Sequence, residues 1–548
     1  MNEIDDNKLQ LGIWLHNSSP QMIGEGISRL LAFIIKNSEH KNDVEITIVC
    51  LSWMKDPILK FLKQMNINTN NVKIVVSSYN IPYIYRLRLL REKKKKKKRK
   101  KYYNNKIYNS LKKIKKKIIS NISGTNSILG VAIKTIIAIP ILILIAIIIL
   151  FAVAYRLFLK MPIISKIKVS IAKIKNKIHN KTELIARNLY SAMIDTEFER
   201  LYLKAKRLNN IDVWFLPYPN NKYIKYFNVP VVSAVPDLVY LDFPIEFLEV
   251  FGKEMLSNIH NNIKDTIKYA SATISYSDYV AENHAKKLFK GDASLVKVVH
   301  HANVETINEL KKMHDRTGLD YTTLSTRIIK NYIKHKTRNK ATLEEKYLSG
   351  ISWENIEYIF ISSQVRPHKN YLNIFKAFEK VLRQDYRNIK LVITGNPGGM
   401  VEVAEFIKNR KLQYDILPIT ALPPKVHAAF YQRAALTVVP TLFEGGFPFC
   451  FSESLSVNTP VIMSDIPVTA EVIQDEKLRK EMLFDPYNVD DIRKKMIRAL
   501  DNKEELDTSQ IKLYEELKKR TWDDVADEYI QCFREVKELY GKNKIKEA

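Results

Sequence analysis

Cysteine is nearly missing from this 548-residue chain. The three that occur, Cys50, Cys450 and Cys532, lie far apart, with no CxxC pair and no histidine at ligand spacing. That argues against a disulfide framework and a structural zinc site, and it fits a reducing compartment. The charged-then-apolar start of a secretory signal is lacking too, since MNEIDDNKLQ is acidic and polar. Acid is scarce in one region only. Between Arg86 and Arg187 stand 28 Lys and Arg against two acids, Glu92 and Glu183, a net of +26 over 102 residues. The whole chain has 88 basic and 59 acidic groups, so the other 446 residues hold 60 and 57, a net of +3. A near-neutral protein therefore carries one very basic insert, which needs its own explanation.

With 46% hydrophobic and 27% charged residues, the composition is globular and the length asks for two or more domains. The pattern from Leu11 to His16 (LGIWLH) reads as a strand. A polar, glycine-containing loop follows, then ISRLLAFIIK at helical spacing. Strand, glycine loop and helix open a nucleotide-binding α/β unit. Further strands are expected at 44–51, 72–77, 212–216, 229–234, 272–275 and 296–299. A second series is expected at 358–363, 389–394, 414–418, 436–440 and 460–463, with helices at 371–382 and 424–434. Alternating strands and helices imply mostly parallel sheets covered on both faces. The polar stretch 306–352 reads as helical linker, and the chain after Asn488 as helix.

The stretch PTLFEGGFPFCFSESLSVNTPVIMSD, residues 440–465, puts a glycine pair between a strand and a helix start. Such a loop lets backbone approach a ligand and aims helix N–H groups at an anion. Glu444 precedes it and Glu453 lies one turn into the helix. Without further context, a capping role for Glu453 and a solvated Glu444 are equally open. In FISSQVRPHKN, Arg366 and Lys369 follow a buried strand; they can neutralise a diphosphate or be ordinary loop cations.

Together, RPHKN, ITGNPGG (393–399), YQRAALTVVPTLFEGGFP (431–448), SESLSVNTPVIMSDIPVTAEVI (452–473) and FDPYNVDDI (484–492) resemble the retaining glycosyltransferases of family 4 (glycosyl transferases group 1). Weaker resemblance covers GEG (24–26), VVSAVPDLVYLDFP, ATISYSDYV and VVHHANV. The resemblance implies an α/β GT-B fold: two doubly wound Rossmann-like domains facing a cleft. It implies transfer of a sugar, of the hexosyltransferase class, from a nucleotide-sugar donor, with no metal and no cofactor. Arg366 and Lys369 match the diphosphate pair. Glu444 matches the acid facing the donor sugar, and Glu453 the acid holding the ribose. Gly24, Gly26, Gly446 and Phe447 are implied donor contacts. Here eight residues, not seven, separate the two acids, and Pro236-Asp237 replaces the His-Asp of many relatives. Asp237 is the candidate polar group near sugar or acceptor. His16, His300 and His301 read mainly as loop or packing histidines.

Thr135–Tyr155 is uncharged and almost wholly apolar for 21 residues, about 31 Å as a helix. Its basic flanks suit anionic lipids. Stacking aromatics in the lysine run are few, which weighs against nucleic acid. The expected organisation is 1–85 and 188–304 for the N-terminal domain, 86–187 for a membrane-associating insert and 305–354 for a linker. Residues 355–520 form the nucleotide-sugar-binding domain, and 521–548 a C-terminal helix. The expected function is glycosyl transfer to a glycan or lipid-linked saccharide, as in polysaccharide biosynthesis. The expected place is the cytoplasmic face of a membrane, through a monotopic or re-entrant anchor, with a single-pass anchor as the alternative. A GT-B-like epimerase and a non-catalytic nucleotide-sugar-binding protein are the rival readings.

Overall fold

The computed structural model describes residues 8–15, 18–20, 26–41, 43–69, 72–91, scattered positions between 129 and 143, 162–291, 295–338 and 342–547. His16, Gly24 and most of the lysine run lie outside them, as does Thr135–Tyr155 apart from 136–140 and 143. Two compact units result: residues 1–76 with 202–548, and residues 77–201.

The larger unit holds two sheets. The first has seven strands: β1 (Leu9–Trp14), β2 (Val44–Cys50), β3 (Val72–Val76), β4 (Val213–Leu216), β5 (Val231–Val235), β6 (Ala272–Ser275) and β7 (Val296–Val298). Their order is β3-β2-β1-β4-β5-β6-β7, and every pairing is parallel. The second has six: β8 (Tyr358–Ile361), β9 (Lys390–Ile393), β10 (Ile416–Pro418), β11 (Leu436–Val439), β12 (Val461–Ser464) and β13 (Leu483–Phe484). The order β10-β9-β8-β11-β12-β13 is again parallel throughout. Sequence explains this. Strands such as VWFL, YIFI and LTVV are buried at every position, which a sheet covered by helices on both faces demands. The result is α/β with two parallel Rossmann-like sheets.

The stretch 305–354 is not a linker. Helices Ile307–Thr317, Tyr321–Lys336 and Leu343–Gly350 cover one face of the second sheet. Leu324, Ile328, Ile329 and Ile333 fall on one helical face and enter a core with Tyr358, Phe360, Leu417 and Phe430. The two-residue strand β13 was not expected and adds the outer edge. The helix Trp522–Glu547 returns to the first sheet. Tyr529 and Phe533 pack on Phe215 of β4 at 5.6 and 5.2 Å, and Lys537 pairs with Asp212 at 2.7 Å.

In the smaller unit, the helix Pro162–Ala205 supplies the long element. Buried Glu197 accepts from the hydroxyls of Ser77 and Ser78 at 2.5 and 2.9 Å, and Arg200 joins it at 2.8 Å. Among the described residues, no helix is long and apolar enough to cross a membrane.

Candidate active site

Parallel sheets bind ligands beyond the C-terminal ends of their strands. Five loops converge there. From the first sheet come the start of helix Gly26–Lys41, the turn Pro236–Leu238 after β5, and Tyr276–Tyr279 after β6. From the second come 362–370 after β8 and 440–448 after β11.

After β8, residues Pro367–Lys369 make one tight helical turn. Asn370 then takes a left-handed conformation (φ 53°) and is held by its side-chain amide donating to the Pro486 carbonyl at 2.7 Å. The backbone carbonyl of buried His368 accepts from the Leu442 N–H at 2.7 Å, tying this loop to the one after β11. Lys369 is thereby aimed at Glu444, and the two form an ion pair. Arg366 is exposed and donates to Gln364 at 2.9 Å. Asp237 lies close enough to feel this group. Burial raises its pKa, Glu444 raises it further, and Lys369, Arg366 and the Val239 N–H oppose the shift.

Glu453 sits in the helix Phe449–Leu455 and is buried. One carboxylate oxygen accepts from the Tyr431 hydroxyl at 2.9 Å; the other is 3.5 Å from the Arg29 guanidinium. Its backbone carbonyl accepts from Thr306 at 2.6 Å. His427 is hydrogen bonded to Ser362 at 2.6 Å, and burial lowers its pKa against the pull of Glu453. Burial, with Glu453 beside it, pushes the Cys450 thiol up to about 12, so it stays protonated and inert at neutral pH.

The glycine pair lies against loops of the first domain. A Cβ on Gly445 would run into the Pro236 carbonyl and the Asp237 side chain. One on Gly446 would lie 3.0 Å from Tyr276 Cβ. Ser277 donates to the Gly445 carbonyl at 2.9 Å. The close approach these glycines permit is to the first domain's own loops. Phe447 turns to its own domain's core, edge-on to Phe451 at 5.2 Å. Gly26 starts its helix near the Phe449 ring, 3.8 Å from where a Cβ would be. His301 is a packing residue between Tyr276, Phe449 and Trp522, with its pKa lowered by burial to about 3.

A second junction lies at the rim. The Glu471 carboxylate accepts from the N–H groups of Asp278 and Tyr279 at 2.9 and 3.2 Å and is 2.9 Å from His300 Nε2. Asp278, His300 and Glu471 have ligand-type atoms within 4.8 Å of one another. Glu471 already spends its acceptors on capping Asp278–Tyr279, so the geometry is that of a clasp between domains.

Arg29, Tyr431 and His427 were not picked out from sequence. Tyr431 stands in the quoted YQRAAL stretch, but its partner, 22 residues on, was not evident. Arg29 and Glu453 are 424 residues apart, and no local pattern pairs them.

Residues 351–520 match the family model described as "Glycosyl transferases group 1". The matched stretch covers the second sheet and the helices around it. The O-antigen chain mannosyltransferase B of Escherichia coli is 20% identical over 204 residues, 37% of this chain and 51% of that protein. The chain thus spans about half the length of that relative. Among solved structures, the N-terminal domain of Candida albicans trehalose-6-phosphate phosphatase is similar. It has 11% identity and a TM-score of 0.51, over 96% of each chain. A glycosyltransferase from Rickettsia africae aligns over 97% of this chain and 99% of its own, with 13% identity and a TM-score of 0.46.

Proposed function

We propose that the protein is a retaining glycosyltransferase of family 4 that moves a sugar from a nucleotide-sugar donor to a glycan or lipid-linked saccharide. The observation that carries this reading is the pairing of Lys369 with Glu444 beside Asp237, with Glu453 held by Tyr431 at the start of the next helix. Breaking the bond from the sugar's anomeric carbon to the diphosphate oxygen leaves more negative charge on the departing group. Lys369 and Arg366 are the cations for it. Removing one such stabilising donor typically costs about 10²–10³ in rate. Glu444 accepts hydrogen bonds from the sugar and Glu453 from the ribose. Asp237, its pKa raised by burial and Glu444, is the basic group available for the acceptor hydroxyl.

The curated relative is a mannosyltransferase, so a mannosyl donor is the first to try. The basic segment 86–187 supports attachment to anionic lipid at a cytoplasmic membrane face.

The test incubates the purified chain with nucleotide sugars of several bases and sugars, with and without membrane extract, and scores nucleoside diphosphate release. Release that needs acceptor supports transfer. Conversion of donor alone would make the protein an epimerase, and binding without any turnover would make it a non-catalytic receptor.

A further inference from the structure

The first turn of helix Gly26–Lys41 carries no acid, and it carries a cation, Arg29. That is the reverse of what a helix prefers. Its N-terminus is the positive end of the dipole and leaves N–H groups without intrahelical partners, so a basic side chain there is unfavourable unless an anion is at hand. The anion at hand is Glu453, 3.5 Å from the guanidinium. The fit is loose: the contact is monodentate, and the Arg29 side chain is 35% exposed against 8% for Glu453. Glu453 does not depend on it for satisfaction, since the Tyr431 hydroxyl donates to its other oxygen.

The cleft holds a second pair of the same kind, Lys369 on Glu444. Both carboxylates are the groups expected to accept from donor hydroxyls, and each is paired with a cation.

Resting on the nucleotide-sugar reading above, we infer that Arg29 is a donor-binding residue. It pairs with Glu453 and passes to the donor's diphosphate where the ribose hydroxyls claim that carboxylate. Ribose recognition by the second domain then releases a cation of the first domain onto the phosphates, where a guanidinium fork fits an oxyanion pair. No bond is made or broken in this step. It is an exchange of partners that links donor arrival to contact between the domains.

The test is titration of the full chain with UDP and GDP and with the matched nucleosides, uridine and guanosine. Arg29→Gln is expected to weaken diphosphate binding about tenfold or more and to leave nucleoside binding unchanged or tighter, because Glu453 is freed. Arg29→Lys, which keeps the charge and loses the fork, should fall between. Tyr431→Phe, which removes the hydroxyl donated to Glu453 and leaves Arg29 in place, should weaken nucleoside and diphosphate by the same factor. If Arg29→Gln lowers both ligands equally, or neither, Arg29 is only a tie between domains and the inference is overturned. A Arg29→Gln chain that fails to fold leaves the Arg29→Lys comparison to decide on the same criterion. If the wild-type chain binds no nucleoside diphosphate, the nucleotide-sugar reading itself fails, which is a different result from an indifferent Arg29.

Discussion

Gly445 is seated against the carbonyl of Pro236, so tightly that no side chain could stand between them. The loop after β11 and the turn after β5 are therefore in backbone contact, and Glu444 and Asp237 are brought together as neighbours of that contact. Gly445→Ala should cost about 1–3 kcal/mol, as overpacking does, and should remove transfer by separating the two acids. Gly399→Ala, whose Cβ would meet only the Val365 carbonyl at 3.7 Å, is the control. Thermal melts and activity of the two variants check this; equal behaviour would contradict it.

Lys369→Ala and Glu453→Ala should each lower transfer about 10²-fold or more with the fold retained, because each acts on the donor. Lys369 lies in the helical turn after β8 and Glu453 in the helix Phe449–Leu455, so one local folding defect would not explain a loss in both. Near-wild-type turnover in both, with a competent donor and acceptor, would move the site elsewhere.

The Glu471 clasp should depend on pH. The hydrogen bond to Glu471 is the main cause raising the His300 pKa above 6.5; burial and Arg520 oppose it, and Asp278 assists. A raised histidine contributes fully below 6.5, and its contribution is lost as pH rises through the raised value. Burial works against the charge of Glu471, but His300 and the N–H groups of Asp278 and Tyr279 outweigh it and hold the pKa below 4.5. That contribution is present above 4.5 and lost as pH falls through the lowered value. The clasp is thus strongest between these limits, at about pH 5–6. Glu471→Gln should lower the melting temperature more at pH 5.5 than at pH 9. A deficit that is the same at both would show that His300 takes no part.

The strands β3 and β4 that bracket residues 77–201 belong to one sheet. Any passage of that segment through a bilayer must then be even in number or absent. Single cysteines at Lys100 and Lys168, in a cysteine-free background and sealed vesicles, should both react with an impermeant thiol reagent from the cytosolic side only. Labelling from opposite faces would demand a span, and with it the loss of the continuous first sheet.

Much of the fold was legible because fully buried parallel strands leave a plain trace. Runs such as ITIVC and LTVV are rich in β-branched residues and buried throughout. Where polarity and burial diverged, reading failed. The helix Tyr321–Lys336 looks like a charged linker because three basic residues crowd its last turn, yet Leu324, Ile328, Ile329 and Ile333 are core. The strand Leu483–Phe484 has two residues and no period to detect. In the site, Glu444, Glu453 and Lys369 carried a local spacing. Arg29 did not, since its partner comes from the other end of the chain. The purpose of Gly445 was hidden because a loop glycine that meets a ligand and one that meets a neighbouring loop look alike in one dimension.

The first sheet is finished late. Leu11 of β1 pairs with Val213 of β4, and between β3 and β4 the ribosome must make the 125 residues of the smaller unit, 77–201. At about 5–20 residues per second that takes roughly 6–25 s. During that interval the nascent chain can form β3-β2-β1 but has nothing to lay along the other side of β1. One edge of β1 stands unpaired on a half-built protein, a state that invites mispairing. The time needed to synthesise the segment therefore sets how long that edge waits for β4.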